Sequence, residues 1–183
     1  MSYIYSKNDD FILTEDEQTI IVEWVKENYI YFYKNSNGNS KYDDKFCQIL
    51  TYFKNVPNCI WDIKQRIFDK EKLHNYEQEP FFKDSIAIMF EGCNLHKHKD
   101  PNPKNSDLIH TRFNVYVQLP ENGGYPIYNN IHCKLKERTY ICCRSGIDEH
   151  YSAKVEGKKA RIVISFGLLL PMERINNIIY NYE

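Results

Sequence analysis

A length of 183 residues, with 42% hydrophobic and 27% charged residues, predicts a folded chain of one domain rather than a disordered one. Lys and Arg number 24 against 25 Asp and Glu, so the formal net charge of -1 gives no general attraction to nucleic acid or to an anionic membrane. Six cysteines without a CxxC pair, an N-terminus without a signal peptide, and no apolar run near the ~18 residues of a membrane span predict a soluble intracellular protein with reduced thiols.

The chain before about residue 75 has apolar residues at helical spacing. A first helix is predicted after the capping-box pair Thr14 and Glu17, and the polar residues 35–40 predict the loop that follows it. A second helix is predicted at 46–53, and a third begins at Pro57, a residue favoured in the first helical turn. The apolar residues of the second and third helices are Phe46, Ile49, Leu50 and Phe53, and then Ile60, Trp61, Ile63, Ile67 and Phe68.

Beyond Pro80 the apolar residues alternate and β-branched residues become common, which predicts strands. Helices followed by antiparallel strands predict an α+β fold whose strands close as a double-sheet jelly roll. The predicted strands cover residues 85–90, 112–119, 131–142 in one or two pieces, 152–155 and 160–170.

No linker of low complexity interrupts the chain, and Gly123-Gly124 and Ser145-Gly146 are typical of turns between strands. We therefore expect a single domain over residues 1–183. Its parts are a mostly helical support layer at 1–78, the jelly-roll core at 80–171 and a C-terminal segment at 172–183.

Two histidines and an aspartate are placed so that they can bind one metal ion. His98 and Asp100 are two residues apart, so in an extended segment both project to the same side of the chain. Pro101 and Pro103 take the chain out of regular pairing, which leaves this strand end at the mouth of a cleft. The third ligand must come from another strand, and His150 is the candidate. Two imidazoles and one carboxylate on one face are typical of non-haem Fe(II) oxygenases, whose other face stays open for co-substrate and O2.

Arg161 lies in the apolar strand predicted at 160–170 and shares a face with Val163 and Ser165. If that face points inward, the guanidinium is a buried cation, and burying an unpaired charge costs several kcal/mol. An inward Arg161 therefore implies an anion. Its planar fork suits a carboxylate, to which the Ser165 hydroxyl could add a contact. The alternative is an edge residue whose side chain reaches water.

The order His98-x-Asp100, His150, Arg161 resembles that of the 2-oxoglutarate/Fe(II)-dependent dioxygenase superfamily, over residues 86–171. The resemblance implies a double-stranded β-helix core with N-terminal helices packed on the outer sheet. It also implies a hydroxylase that releases succinate and CO2, with ascorbate as a candidate reductant. His98, Asp100 and His150 would bind Fe(II) and Arg161 would bind 2-oxoglutarate, with no catalytic residue beyond the metal ligands.

Asn114 and Tyr116 are further candidates for polar contacts with the co-substrate. They lie in a strand whose residues alternate between two faces, so only one set of side chains can face the pocket. The residues leave both choices open. The two sets are Arg112, Asn114 and Tyr116 on one face and Phe113, Val115 and Val117 on the other.

Differences from two subfamilies bear on the substrate. Prolyl 4-hydroxylases of the collagen type resemble this order but carry Lys at the position of Arg161. The nucleic-acid demethylase branch usually carries a second Arg six residues later, where this chain has Gly167. The short core leaves little sequence for a lid, so we expect a peptide or protein side chain or a free amino acid as substrate, with no membrane partner. The alternatives are a jelly-roll binding module without catalysis and an oxygenase that acts on nucleic acid.

Other metal sites are less consistent with the sequence. A ligand pair shifted to His96 would lack a carboxylate at position 98, so His96 is expected to hydrogen-bond a neighbouring group instead. A zinc site built from Cys93, or from Cys142 and Cys143, together with nearby histidines lacks a CxxC pair. The remaining histidines are interpreted as ordinary polar residues, and they are His74, His110 and His132.

Heavy use of Asn, Ile, Lys and Tyr is typical of an AT-rich genome, such as that of a protist or a large DNA virus. The intracellular setting could therefore be that of an infected host cell.

Overall fold

The computed structural model describes residues 5–8, 10–29, 32–34, 47–50, 55–133 and 135–180. Within these ranges the chain forms three helices and twelve strands. None of the helices in the described ranges is long and apolar enough to cross a membrane. In chain order the elements are β1 (Tyr5–Asn8), α1 (Glu15–Asn28), β2 (Tyr33–Lys34), β3 (Cys47–Leu50), α2 (Cys59–Lys70), β4 (Ser85–Met89), β5 (Leu108–Gln118), β6 (Asn122–Gly123), β7 (Pro126–Tyr128), β8 (Ile131–His132), β9 (Tyr140–Cys143), β10 (His150–Ser152), β11 (Val155–Glu156), β12 (Arg161–Pro171) and α3 (Met172–Tyr180).

Antiparallel pairing organises the strands into a large sheet, a small sheet and a two-stranded ribbon. The seven strands of the large sheet follow the order β1-β9-β5-β12-β4-β3-β2. The small sheet has the order β10-β7-β8, and the ribbon pairs β11 with β6. An isolated antiparallel bridge between His98 and His150 adds a chain segment to the β10 edge of the small sheet. Helices combined with antiparallel sheets confirm the predicted α+β class.

Side chains of β5 and β12 alternate between two faces of the large sheet. On the outer face, Phe113 and Ile164 pack with apolar residues of all three helices in the main hydrophobic core. Burying one such side chain stabilises the folded chain by about 1.5–3 kcal/mol, so these contacts attach the helices to the sheet. On the opposite face, Tyr116 and Val163 pack with Tyr128 of the small sheet. We call this second face of the large sheet the interior face.

The interior face carries the polar side chains of β5. Tyr116 packs there, and Asn114 donates a hydrogen bond at 3.3 Å to the hydroxyl of Tyr128 across the gap between the sheets. The alternate residues Phe113 and Val115 belong to the core under the helices. The set with Asn114 and Tyr116 therefore faces the small sheet, and the set with Phe113 and Val115 faces the helices.

The predicted helix at 46–53 is wrong where the structure describes it. Cys47–Leu50 is strand β3, which pairs with β2 and β4 in the large sheet. An apolar run this short has no periodicity that separates a helix from a strand, and the hydrogen bonds with β4 decide its structure. Phe46, Phe53 and the predicted loop at 35–40 lie outside the described residues.

The other two predicted helices are confirmed. At the start of α1, the Thr14 side chain accepts a hydrogen bond from the backbone N–H of Glu17, and the Glu17 carboxylate accepts one from the N–H of Thr14. Strands β1, β2, β6 and β7 and helix α3 were not predicted from the sequence. The helical spacing of three buried residues of α3 was the available signal, and they are Ile175, Ile178 and Ile179.

The predicted strands are confirmed with shifted ends. The stretch 131–142 consists of two pieces, β8 and β9, and 152–155 is divided between β10 and β11. The predicted strands 112–119 and 160–170 correspond to β5 and β12, which pair with each other along the centre of the large sheet.

Residues 77–83, which we call the strap, lie antiparallel beside the second half of β12, with a bridge between Gln78 and Leu168, before the chain enters β4. The N–H of Leu169 donates to the carbonyl of Glu77 at 2.9 Å, and the N–H of Glu79 donates to the carbonyl of Gly167 at 3.2 Å. A Cβ atom at Gly167 would lie 2.5 Å from Cγ of Glu79. Position 167 therefore has no room for a side chain.

One buried ion pair holds the strap in place. The Glu79 carboxylate is fully buried and accepts hydrogen bonds from the N–H groups of Phe81 at 2.7 Å and Phe82 at 2.9 Å. It also accepts one from Nη2 of Arg112 at 2.8 Å, and Nη1 of the same guanidinium donates to the carbonyl of Lys83 at 2.6 Å. Arg112 therefore binds the strap at two points, and its own positive charge is neutralised.

We predict that Gly167→Ala destabilises the protein, because the added methyl group must displace Glu79 from its position against Arg112. The expected loss in the free energy of unfolding is about 1–3 kcal/mol, measured by urea denaturation. Ser165→Ala, on the same face of the same strand, adds no volume and serves as the control. Equal urea midpoints for Gly167→Ala and the wild type would contradict the close contact with the strap.

Candidate metal centre

His98 and His150 face each other in a pair of antiparallel chain segments. The N–H of His98 donates to the carbonyl of His150 at 3.0 Å, and the N–H of His150 donates to the carbonyl of His98 at 2.8 Å. Two residues that exchange both backbone hydrogen bonds project their side chains to the same side of the sheet. The two imidazole rings accordingly lie with their centroids 4.2 Å apart.

Asp100 brings a carboxylate to the same place. Because it is two residues after His98, its side chain returns to the side of the chain that bears the imidazoles. Its N–H donates to the carbonyl of Ser145 at 2.8 Å, which holds this segment next to the one that leads to His150. Asp100 Oδ1 lies 3.6 Å from Nε2 of His98, and Oδ2 lies 4.0 Å from Nε2 of His150.

Backbone carbonyl groups orient both imidazole rings. Nδ1 of His98 lies 2.6 Å from the carbonyl oxygen of His96, and Nδ1 of His150 lies 3.0 Å from that of Asp148. An Nδ1 that donates to a carbonyl leaves the lone pair of Nε2 free, which is the form in which histidine binds a metal. Both Nε2 atoms point toward the Asp100 carboxylate, so the three side chains present three acceptor atoms to one point.

This donor set fits a divalent metal ion of the iron type. The ligand atoms of His98, Asp100 and His150 all lie within 4.8 Å of one another. Neighbouring ligands of an octahedral ion with bonds of about 2.1 Å lie about 3 Å apart, so the ligand atoms would have to approach one another by ~2 Å or less. Two imidazoles and a carboxylate suit Fe(II) and leave further coordination positions open.

The alternative metal sites do not assemble in the described part of the chain. His96 is exposed and contributes its carbonyl to His98 rather than an imidazole to the cluster. Cys93, Cys142 and Cys143 are buried, and no group of three metal-binding side chains among the described residues includes any of them.

Arg161 is a buried cation on the interior face. Its side chain belongs to β12, which lies between β5 and β4 rather than at a sheet edge, so the alternative of an edge residue reaching water is wrong. Nη1 lies 3.3 Å from the sulfur of Met89, and the guanidinium carbon lies 5.4 Å from the ring centroid of Tyr116. No carboxylate among the described residues forms an ion pair with Arg161.

Two polar atoms are left without a partner at this point. Among the described residues, four buried side-chain atoms have no hydrogen-bond partner, and two of them are Nε of Arg161 and the hydroxyl of Tyr116. Burial raises the pKa of Tyr116, although the positive charge of Arg161 opposes that rise, so Tyr116 keeps its proton at neutral pH. A cation and a hydroxyl donor therefore face the same interior space, which is suited to an anion with carboxylate oxygens.

Asn114 and Ser165, the other predicted contacts of the co-substrate, also lie on the interior face. Nδ2 of Asn114 donates to the Tyr128 hydroxyl at 3.3 Å and lies 3.5 Å from the sulfur of Cys143. Ser165 is the register partner of Asn114, and its oxygen is 3.5 Å from Nη1 of Arg112. Both residues thus have polar partners within the protein.

Three buried side chains near the cluster were not predicted to belong to the site, and they are Tyr128, Cys143 and His110. Tyr128 stacks on His150 with ring centroids 5.6 Å apart, and its hydroxyl donates to the sulfur of Cys143 at 3.1 Å. Burial raises the pKa of the Cys143 thiol to about 12, so it remains protonated. His110, predicted to be an ordinary polar residue, is fully buried with Nε2 at 3.8 Å from Glu79. Burial, followed by the charge of Arg112, lowers the pKa of His110.

Comparison with known proteins identifies structures with a similar fold but no relative by sequence. No protein-family model matches the chain, and no curated protein matches it by sequence. A viral collagen prolyl hydroxylase from Paramecium bursaria Chlorella virus-1, solved with 2-oxoglutarate, is 18% identical and superposes with a TM-score of 0.64 over 92% of this chain and 98% of its own.

Two further prolyl hydroxylase structures are similar over most of their length. The prolyl-4-hydroxylase of Pseudomonas putida is 12% identical, with a TM-score of 0.59 over 93% of this chain and 94% of its own. The prolyl hydroxylase of Trichoplax adhaerens, solved with a peptide of the hypoxia inducible factor oxygen degradation domain, is 15% identical, with a TM-score of 0.65 over 93% of this chain and 85% of its own. At these identities the chain shares their fold. The predicted resemblance is confirmed for the fold and for the presence of a His-Asp-His cluster.

Proposed function

We propose that this chain is an Fe(II)- and 2-oxoglutarate-dependent oxygenase that hydroxylates its substrate. One observation carries the proposal. A cluster of two histidines and an aspartate lies in the same molecule as a buried guanidinium without an anionic partner among the described residues, in a fold shared with prolyl hydroxylases. Each feature alone occurs in proteins of many kinds, but together they match a metal centre that binds a dicarboxylate co-substrate.

His98, Asp100 and His150 are the proposed metal ligands. Fe(II) bound there supplies the redox chemistry by which O2 and 2-oxoglutarate are converted to succinate and CO2 while one oxygen atom is transferred to the substrate. The chain would contribute three ligands, and the remaining coordination positions would be open to the co-substrate and O2. Ascorbate is proposed as the reductant that keeps the iron in the ferrous state.

Arg161 and Tyr116 are the proposed partners of the distal carboxylate of 2-oxoglutarate. The planar fork of Arg161 binds a carboxylate through two parallel N–H···O bonds, and the Tyr116 hydroxyl donates a third. This supplies the partners that both side chains lack. Asn114 and Ser165, on the same face, are proposed to add polar contacts along the co-substrate.

We propose that the two sheets form a double-stranded β-helix with the pocket between them, as the resemblance implies. The large sheet carries Arg161 and the small sheet carries His150, so a co-substrate that bridges both side chains lies between the sheets. The helices on the outer face support the large sheet. We propose that residues 1–183 fold as a single domain, with the core at 80–171.

The proposed substrate is a peptide or protein side chain, or a free amino acid. One similar structure is a collagen prolyl hydroxylase and another was solved with a peptide, which supports this class. A nucleic-acid substrate is disfavoured by the formal net charge of -1. It is also disfavoured by Gly167, because Glu79 fills the space that the side chain of a second arginine would need there. One similar structure is of viral origin, which supports the expectation of a large DNA virus, and the intracellular setting stays a prediction.

The purified protein with Fe(II), ascorbate and O2 should convert 2-oxoglutarate to succinate slowly even without substrate. His98→Ala combined with Asp100→Ala should abolish this turnover, because only one metal ligand remains. His96→Ala is the matched control, since the His96 imidazole is outside the cluster, and it should retain most of the turnover. Succinate production is measured by mass spectrometry. Turnover no higher in the wild type than in the double variant, with no thermal shift from Mn(II) and 2-oxoglutarate, would indicate a binding module without catalysis.

Arg161→Gln should raise the KM for 2-oxoglutarate by about 10- to 100-fold, because a hydrogen bond to a charged group contributes about 1.5–3 kcal/mol. Ser165→Ala, four residues along the same strand face, should raise it far less. Initial rates of succinate release over a range of 2-oxoglutarate concentrations measure both effects. The proposed role of Arg161 is wrong if the two variants have the same KM as the wild type.

A further inference from the structure

The carbonyl groups that orient the two histidines are held very differently. The carbonyl that accepts from His98 belongs to the exposed residue His96. The carbonyl that accepts from His150 belongs to Asp148, whose residue surface is only 3% exposed. The orientation of one imidazole thus depends on a solvent-exposed segment, and that of the other depends on a buried one.

The Asp148 carboxylate is saturated by two neighbours. Nε and Nη2 of Arg144 donate to Oδ2 and Oδ1 at 2.7 and 3.0 Å, which is the bidentate geometry of a strong ion pair. Nδ2 of Asn129 donates to Oδ1 at 2.8 Å. Asp148 is therefore fixed by its side chain as well as by its backbone, and its carbonyl cannot rotate without breaking these bonds.

Asn129 holds the chain at a second point next to His150. Its N–H donates to the carbonyl of Glu149 at 2.8 Å, and its Oδ1 accepts from the N–H of Glu149 at 3.1 Å. Its φ angle of 45° is in the left-handed region, where asparagine is one of the few residues with a side chain that is readily accommodated. Asn129 thus binds both residues that immediately precede His150, from a turn that follows the neighbouring strand β7.

We infer that Asn129 is a positioning residue for the metal ligand His150. Through its side chain, Asn129 fixes the Asp148 carbonyl, and this carbonyl fixes the rotation of the His150 imidazole by accepting from Nδ1. The rotation decides whether Nε2 points at the metal. Removing a group that hydrogen-bonds a metal ligand, but does not itself bind the metal, typically weakens metal binding by about 10- to 100-fold. The inference rests on the proposed function, because it takes His150 as a ligand.

Asn129→Gly is the variant that tests this role most cleanly. Glycine accommodates the positive φ angle and keeps the backbone bond to Glu149, so the substitution removes only the side-chain bonds. Asn130→Gly is the matched control. Asn130 is the next residue of the same turn, has a φ angle of 66°, and its Oδ1 accepts from the hydroxyl of Tyr151 at 3.3 Å. Within the described part of the chain, its side chain forms no hydrogen bond with Asp148 or Glu149.

Asn129→Asp is the second variant. The new side chain has the same shape and can still accept from the N–H of Glu149. Its carboxylate, however, would replace a donor amide 2.8 Å from the Asp148 carboxylate, and two like charges at that distance repel each other. It should therefore disturb the Asp148 carbonyl more than the removal of the side chain does.

Mn(II) affinity by isothermal titration calorimetry and the visible spectrum of bound Co(II) are the two readouts, with the thermal midpoint recorded for each variant. We expect Mn(II) binding about tenfold or more weaker in Asn129→Gly, weaker still in Asn129→Asp, and unchanged in Asn130→Gly. The Co(II) spectrum, which reports coordination geometry, should change in both Asn129 variants only.

Three outcomes would overturn the inference. Equal Mn(II) affinity and an unchanged Co(II) spectrum in Asn129→Gly would show that His150 is oriented without Asn129. An equal loss in Asn130→Gly would show a general effect of the turn. If the wild type itself binds neither metal, then the proposed function fails together with this inference, whereas the first two outcomes leave the proposed function intact.

Discussion

Two backbone hydrogen bonds between His98 and His150 hold together the segments on which the rest of the site depends. They place two imidazoles from distant parts of the chain on the same side of one small sheet. Asp100 lies two residues after His98 in an extended segment, so its carboxylate reaches the same point without a contribution from another strand. A cluster of this kind tolerates change in the surrounding loops, but it does not tolerate a shift of pairing by one residue, which would turn one imidazole to the opposite face.

The interior face contains two arginines with opposite surroundings. Arg112 is neutralised by Glu79 and bound to the strap, so its charge is satisfied within the protein. Arg161 lies on the neighbouring strand and has no such carboxylate among the described residues. Since burial of an unpaired charge costs several kcal/mol, the contrast supports the proposal that Arg161 binds an anion supplied from outside, whereas Arg112 is neutralised within the protein. The Glu79 side chain that neutralises Arg112 also fills the space beside Gly167, so a residue with a side chain does not fit there.

Sequence reasoning predicted the parts of the site that depend on local spacing and on the cost of burying charge. His98 and Asp100 were predicted to share a side of the chain from strand periodicity. His150 was predicted because a third metal ligand was needed, and Arg161 was predicted to bind an anion because it lies in an apolar strand. The face of β5 that turns inward could not be predicted, because a period of two is the same for both faces. Glu79, Tyr128 and Asn129 reach the site from segments that are distant in sequence or lie in turns, and only Gly167 within a strand hinted at a close approach.

The fold was predictable at the level of class but less so in the first third of the chain. The capping box at Thr14 and Glu17 is a local signal, and α1 formed as predicted. The segment Cys47–Leu50 instead pairs with β4, and no local pattern records that tertiary contact. The alternating pattern of β5 and β12 and the capping box of α1 were therefore sufficient to predict these elements, whereas the four residues of β3 are too few to show a pattern of their own.

The central claim is that the His-Asp-His cluster and Arg161 form one site for a metal and a dicarboxylate. Calorimetric titration of 2-oxoglutarate into the protein under anaerobic conditions, with and without Mn(II), tests it most directly. The account predicts that one 2-oxoglutarate binds per chain. Its affinity should be much higher when the metal ion is present, because 2-oxoglutarate and the metal ion bind in the same pocket. Binding of 2-oxoglutarate that is equally strong without metal, or absent in both cases, would contradict it.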